Sequence, residues 1–338
     1  MTQRRLLTLA VPTYNRASHL EQLLTSLQSE LAGLAEQVEV IVGDNCSTDR
    51  TPEVTAAFAR AYPNARIIRQ DENIGPERNF CVALEAARGE HFWIVGDDDL
   101  PKQGTIRQIV QILASQAPDL LFLQSEWVER IDSAEQGQRL SPLQARSLSS
   151  LAMARQLHVW FTFISSVIIR REVFLAHSSL AQARQSVGTS LVQLSWVFTV
   201  LEHGRRFALI DQPCVLATSA NSGGYKVLTT FGAYFPQLTQ RLLAGRPDLA
   251  QAIRRRSALC FLPGLIWHTR FDFVGDFEQE DPWPEIRRAL GGLPEYWLLL
   301  WPLGHAPRWL ARQFLRLARG VAAGMRRVDQ LGAGRTAP

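Results

Sequence analysis

The sequence predicts an α/β fold: a doubly wound, mostly parallel sheet followed by a helical C-terminal extension. Three observations carry this. Short apolar, β-branched runs alternate with longer amphipathic stretches over the first 124 residues. A polar cluster follows each of the first four runs, and beyond residue 226 the pattern is helical. The 338-residue chain, 46% hydrophobic and 20% charged, can bury a substantial core. With 9% aromatics, 22 glycines and 17 prolines it is not disordered, collagen-like or of low complexity.

In chain order, strands are predicted over 6–11, 38–42, 66–69, 92–95 and 120–123. Helices fall between them, which makes the sheet parallel. Ser18 and Glu21 form an S-x-x-E capping box ahead of Leu20, Leu23, Leu24 and Leu27. Pro52 and Pro76 stand at first helical positions. Between 131 and 150 the chain turns to Ser, Gln, Arg and Gly, the composition of a loop or a subdomain connection. An apolar stretch over 160–169, a helical pattern over 191–201, a strand near 207–210 and a Ser/Gly-rich loop over 219–224 follow, then helices over 227–260. The expected division is 1–124, 125–225 and 226–338.

The four cysteines (Cys46, Cys81, Cys214, Cys260) form no C-x-x-C pair, so reduced thiols in a cytoplasmic protein are expected rather than a zinc site or a disulfide scaffold. After Arg4 and Arg5 the apolar run is broken by Pro12, Asn15 and Arg16, which is not the pattern of a signal peptide. Residues 304–338 hold seven arginines against Asp329 alone, a local charge of +6, which leaves −2 for the remainder of a chain whose net charge is +4. The basicity therefore belongs to the tail. A nucleic-acid-binding body is not expected, whereas an anionic partner near the C-terminus is.

Ligands of open parallel sheets bind outside the carboxyl ends of the strands, and there the chain is polar: 12–16, 44–49, 71–76 and 96–99. Three consecutive aspartates, Asp97, Asp98 and Asp99, raise one another's pKa unless a cation relieves them. In an extended chain alternate side chains share a face, which would pair Asp97 with Asp99 on one magnesium or manganese ion able to bridge to a diphosphate. The loop from Asp44 to Asp49 offers carboxylates and amides suited to a base or a ribose. Neither G-x-G-x-x-G nor G-x-x-x-x-G-K-[ST] occurs, which argues against a dinucleotide dehydrogenase or a P-loop enzyme.

Together these segments resemble the donor-binding half of family 2 glycosyltransferases, which have the GT-A fold. The resemblance rests on Val11-Pro12-Thr13-Tyr14-Asn15-Arg16, on Asp44 to Asp49 (similar to D-D-G-S-T-D, with Asn45 and Cys46 substituted), on Asn73, Gly75, Arg78, Asn79 and Gly89, and on Asp97 to Asp99. It implies that Thr13, Tyr14, Asp44, Asn45, Arg78 and Asp97 surround a nucleotide diphosphate-sugar, and that Asp98 and Asp99 hold Mg2+ or Mn2+. The first region would be the donor half, the second the acceptor side of the catalytic domain and the third a helical extension. Gly96 stands where the family pattern has its first aspartate. Residues 164–171 and the pattern from Gly188 through Gly204 to Pro213 are similar to O-antigen sugar transferases of the abequosyltransferase type.

The resemblance further implies inverting transfer to a saccharide acceptor, lipid-linked, in cell-surface polysaccharide or O-antigen synthesis. That reaction needs a base for the acceptor hydroxyl. Counting back from Gly204 puts Gln193 where the family has its aspartate, and glutamine is not a base; Glu202 and Asp211 are the remaining candidates, besides a substrate group or a loss of activity. His203, beside Gly204, reads as a helix C-cap. In the tail, Trp309, Leu310, Phe314, Leu317 and Val321 lie at helical spacing with Arg308, Arg312, Arg316 and Arg319. This stretch is too short and interrupted to span a bilayer. It is expected either to lie on an anionic membrane surface, placing the protein at the inner face of the cell membrane, or to pack on the domain with a solvated basic face. Two rivals are a nucleotidyltransferase, which lacks its glycine-rich loop here, and a catalytically impaired nucleotide-sugar-binding or membrane-scaffold protein, which Gln193 keeps open.

Overall fold

Leu7, Leu9, Ala10 and Val11 are all fully buried, the continuous apolar run of a strand covered on both faces. They form β1 (Leu7–Thr13), an interior strand of a mixed nine-stranded sheet in a computed structural model that describes residues 5–129, 131, 140–218, 226–272 and 281–333. The expected loop over 219–224 and most of the polar run after 131 lie outside the described residues. Strands β2 (Val38–Asp44), β3 (Ala65–Arg69), β4 (His91–Ile94), β5 (Leu100–Pro101), β6 (Leu120–Val128), β7 (Ala145–Leu148), β8 (Val167–Arg170) and β9 (Phe207–Thr218) complete it in the order β3-β2-β1-β4-β8-β6-β9-β5, with β7 on β9. All five strands expected in the first 124 residues are present, and β3, β2, β1 and β4 run parallel.

Two differences from the expectation have physical reasons. The fifth expected strand, β6, does not lie beside β4, because the four-residue β8 pairs antiparallel with both. Only Val167, Ile168 and Ile169 mark β8 in the sequence, too short a run to separate strand from turn. The strand near 207–210 extends to Thr218, because Ile210 and Val215 oppose Leu123 and Ser125 across a bulge that holds Pro213, a residue that cannot donate to a ladder.

The helices of the first part are α1 (Ala17–Glu30), α2 (Thr51–Ala61), α3 (Pro76–Ala86) and α4 (Thr105–Gln116), with Pro52 and Pro76 in the first turns as expected. The capping box at Ser18 does not form. Helix α1 begins two residues earlier, with Arg16 at the N-cap, and its first free amide, on Ala17, donates to the Asp49 carboxylate at 2.9 Å. Asp49 also accepts from the amide of Thr51 at 3.0 Å, so one side chain serves two helix starts. Helices α5 (Ser150–Leu157), α6 (Arg171–His177), α7 (Leu180–Arg184) and α8 (Leu194–His203) follow, the last on the expected 191–201 pattern.

The chain divides into two compact units, one of residues up to 148 with 161–188 and 192–222, the other of 149–160, 189–191 and 223–338. The first holds the sheet, whose core joins Leu9, Val40 and Trp93 to Leu20, Leu23 and Ile109 of the helices. The second is helical: α5 with α9 (Phe235–Leu242), α10 (Pro247–Cys260), α11 (Leu262–Trp267), α12 (Trp283–Leu290), α13 (Trp301–His305) and α14 (Arg308–Ala333). Its core gathers Ala258, Leu262, Ile286, Leu300 and Leu315. Gly304 lets α13 close on Trp283, since a Cβ there would lie 1.9 Å from the indole.

Candidate active site at the carboxyl edge of the sheet

Parallel register sets Thr13 beside Asp44, Asp44 beside Arg69, and Ala10 beside Ile94, so the loops after β1, β2, β3 and β4 open on one edge. Asp44 is 1% exposed, and both of its oxygens are taken: Arg69 donates at 2.7 Å and the Ser47 amide at 2.8 Å. Asn45 donates to the Asn73 side chain at 2.7 Å and accepts from the Ile74 amide at 2.9 Å. Asn79 donates to the Gly43 carbonyl at 2.7 Å, in contact too close for a side chain at Gly43. Asn15 and Cys46 turn their loops with φ of 53° and 65°, and Asn tolerates that conformation best. The Asn15 side chain accepts from the Thr48 amide at 2.7 Å. Asp44 and Asn45 therefore shape the loops from within, whereas Tyr14, 42% exposed, and the exposed Arg78 present their side chains outward.

The aspartates follow a turn, closed by the Asp99 amide donating to the Gly96 carbonyl at 3.1 Å, rather than an extended strand. The strict alternation of faces expected of an extended chain therefore does not govern Asp97 and Asp99. Asp97 accepts from Thr13 Oγ1 at 2.7 Å and from Arg16 at 3.1 Å. Asp98 accepts from the same Arg16 nitrogen at 3.1 Å, and Asp99 from the Ser165 hydroxyl. A side chain at Gly96 would crowd the carboxylates, since a Cβ there would sit 2.9 Å from an Asp99 oxygen and 3.0 Å from an Asp98 oxygen.

Electrostatics follow burial. Asp99 is pushed up to about 7, first by burial and then by its aspartate neighbours, against the Ser165 hydrogen bond. Burial also raises Asp97, with Thr13 and Arg16 opposing. Burial works against the charge on Arg16, but Asp97 and Asp98 more than restore it, and its pKa rises. Hard oxygen donors gathered in one turn suit a divalent cation of the magnesium or manganese type. Asp98, the most open of the three with a side chain 14% exposed, is the best placed to hold it. Among the described residues no cluster of three or more ligating side chains surrounds a common point. An ion here would take part of its shell from a bound diphosphate, as such ions do.

Three partners of this site were not singled out by sequence reasoning. Arg16 was part of the opening motif but carried no role. Ser165 also accepts from the Gly96 amide at 2.9 Å, and Thr218 approaches the Asp98 carboxylate at 3.5 Å. Ser165 could have been found as a polar residue interrupting the apolar run from 160 to 169.

Gln193, which the resemblance puts where the family has its aspartate, is also placed by the fold. Gln193 is 5% exposed at the start of α8; its amide donates to the Thr162 carbonyl at 2.8 Å while its own carbonyl oxygen is buried without a hydrogen-bond partner. It lines a small apolar cavity with Phe92, Ile94, Ile164 and Trp196. Glu77 of α3 ties down the loop that leads to it, accepting from the Gly188 and Val192 amides at 2.6 and 3.2 Å. Glu202 lies at the other end of α8, where the Gly204 backbone meets Asp119 at the start of β6. That is the amino side of the sheet. Asp211 sits in the β9 bulge, paired with Arg146 and 59% exposed. Neither is brought to the aspartates. His203 ends α8 as expected and stacks on His177, ring centroids 4.1 Å apart.

Residues 8–176, half of the chain, match the model of glycosyl transferase family 2. The chain belongs to that family. Among curated relatives of this family 2 member, abequosyltransferase RfbV of Salmonella typhimurium is 34% identical over 113 residues, 33% of this chain and 34% of that one. The succinoglycan biosynthesis protein ExoO of Rhizobium meliloti is 33% identical over 104 residues, 31% of this chain and 28% of that one. The chain thus spans about a third of the length of the curated relatives it matches. Residues 1–349 of Staphylococcus aureus TarS, solved with UDP-GlcNAc, superpose with a TM-score of 0.61 at 19% identity over 95% of this chain and 92% of that one. The mannosyltransferase PcManGT of Pyrobaculum calidifontis, solved with GDP-Man and Mn2+, gives 0.50 at 17% over 95% and 88%. The fold is that of the GT-A transferases.

Proposed function

We propose that the protein transfers a sugar from a nucleotide diphosphate-sugar to a saccharide acceptor, lipid-linked and at the inner face of the cell membrane, in cell-surface polysaccharide or O-antigen synthesis. One observation carries the reading: Tyr14, Arg78 and the Asp97–Asp99 turn converge on the edge where an open parallel sheet binds its ligand. The match to family 2 and the TarS fold support it. Residues 1–124 serve as the donor half, 125–225 as the acceptor side and 226–338 as a helical extension.

In an inverting transfer the acceptor oxygen attacks the anomeric carbon, the bond from that carbon to the diphosphate breaks with its electron pair leaving on the diphosphate, and the hydroxyl proton passes to a base. Tyr14 supplies an exposed ring for the base of the nucleotide, and Arg78 a cation for the phosphates. Asp97, held by Thr13 and Arg16, faces the ribose, while Asp98 and Asp99 hold Mg2+ or Mn2+, which when bound neutralises charge on the departing diphosphate. Arg16 keeps Asp97 and Asp98 together and shares their charge until then. With Gln193 at the family's base position and neither Glu202 nor Asp211 at the edge, the proton goes to an oxygen of the bound substrates. The same glutamine favours a second reading, a nucleotide-sugar binder without turnover.

Calorimetric titration with UDP, CDP, GDP and dTDP, each with and without manganese, tests both readings. The expected result is manganese-dependent binding of one diphosphate, followed by sugar transfer from the corresponding donor. Binding without transfer would replace the first reading with the second, and no binding to any of the four would overturn both.

A further inference from the structure

Ten large hydrophobic side chains are exposed among the described residues, and six of them fall in the 25 positions from Trp297 to Val321. Trp297, Leu298 and Trp301 are 45%, 71% and 44% exposed, at spacings that put them on one helical face. On α14 a first stripe, Ala311, Leu315, Ala318 and Ala322, is buried in the core of the unit. The helix therefore already has its packing partner. A second apolar set nevertheless remains outside, with Trp309 69%, Leu317 59% and Val321 38% exposed. Arg312, Arg316 and Arg319, all exposed, form a third stripe at i, i+4, i+7. No acidic residue occurs between Arg308 and Asp329. Between the Arg and Leu stripes the surface is low, since a Cβ at Gly320 or Gly324 would meet nothing within 4 Å.

We infer that the outward face of α14, together with Trp297, Leu298 and Trp301, is a seat for an anionic lipid surface. Tryptophan is the side chain that sits at the headgroup level of a bilayer, and arginines flanking it meet anionic headgroups. Charge favours an anionic surface over a second copy, which would bring another arginine-rich face with no acidic residue between Arg308 and Asp329. No helix among the described residues is long and apolar enough to cross a membrane. The attachment is therefore lateral, an amphipathic helix lying in the interface. This inference does not rest on the donor site, and diphosphate binding should survive every substitution below.

The test is flotation of the full chain with vesicles of phosphatidylcholine alone or mixed with phosphatidylglycerol, at low and high salt. Binding is expected only to the mixed vesicles, weakening with salt. Replacing Arg312, Arg316 and Arg319 together by Gln should weaken it by about a hundredfold, at roughly one order of magnitude or less per arginine. Replacing the same three by Lys should retain it. Trp309→Ala with Leu317→Ala should weaken binding while keeping its salt dependence. Equal binding to neutral vesicles, loss with Lys as well as Gln, or self-association in place of vesicle binding would each overturn the inference.

Discussion

At the carboxyl edge of the sheet Thr13, Asp44, Asn45, Asp97 and Asp99 are polar yet at most 5% exposed, while in the helical unit Leu298 and Trp309 are apolar yet 71% and 69% exposed. Each region reverses the usual sorting of side chains, in opposite directions. The polar edge offsets its burial internally, since every one of those five side chains has a hydrogen-bond partner or a neighbouring charge within the sheet unit. The apolar face is compensated only in part: the Trp297 indole donates to the Gly291 carbonyl at 2.8 Å and Trp301 stacks on His305, while Leu298 and Trp309 stay open to solvent. In general, buried polarity accompanies sites for small charged ligands and exposed apolarity accompanies interaction surfaces.

Four measurements press on this contrast. The largest effect is expected at the polar edge, where Asp98→Asn should lower manganese-dependent donor binding or transfer by about a thousandfold (~4 kcal/mol), the upper scale of losing one preorganised charged group at a reacting centre; unchanged titrations with both Asp98→Asn and Asp99→Asn would dissolve the assignment. Next comes Gly89→Ala, whose added Cβ would lie 2.4 Å from the Thr8 amide nitrogen and 2.6 Å from the Leu7 carbonyl carbon. Urea unfolding should show a loss of about 3 kcal/mol, the upper range for overpacking.

The third measurement tests the helical unit. Burial, and then Arg256, lower His158 to about 4 from 6.5. Folding therefore favours the neutral ring, and its contribution is present above pH 6.5 and lost as the pH falls towards 4. Stability should drop by about 2 kcal/mol between pH 7.5 and 5 from this group. His158→Asn, which also suits the φ of 35° there, should flatten that slope in thermal melts; an unaltered slope would assign the pH dependence elsewhere. The smallest effect is Thr13→Val. Removing the 2.7 Å hydrogen bond to Asp97 should cost about 1–2 kcal/mol in denaturant titration.

The sequence made the strands legible where apolar runs were long enough, as in β1 and β2, and it located the edge because every loop there was polar. It did not disclose how the polar residues divide their work. Asp44 and Asn45 look like ligand contacts in a motif, but their atoms close the loops, since Arg69 and Asn73 reach them from elsewhere in the chain. The alternation of Asp97 and Asp99 held only for an extended backbone, and Gly96 permits a turn. Ser165 was hidden because its role is defined by a hydrogen bond across 66 positions, a pairing that no local pattern contains. The tail was legible as amphipathic but not as either packed or exposed. The structure makes it both, with alanines and Leu315 inward and Trp309 and Leu317 outward.

The insertion of β8 between β4 and β6 has a consequence for synthesis. When the ribosome has made residue 124, every motif of the donor half is present, but β4 has an open edge and Asp99 lacks the serine that fixes it. The 72 residues separating the end of β4 from the start of β8 take about 4–14 s to translate at cellular rates. Through that interval the nascent sheet exposes a hydrogen-bonding edge carrying Phe92, Trp93 and Ile94, the kind of edge that recruits foreign strands. A fragment ending at 124 would therefore carry the four polar loops and yet stop short of the family match, which runs to residue 176, and be a poor independent fold, so the unit of expression for this site extends through β8.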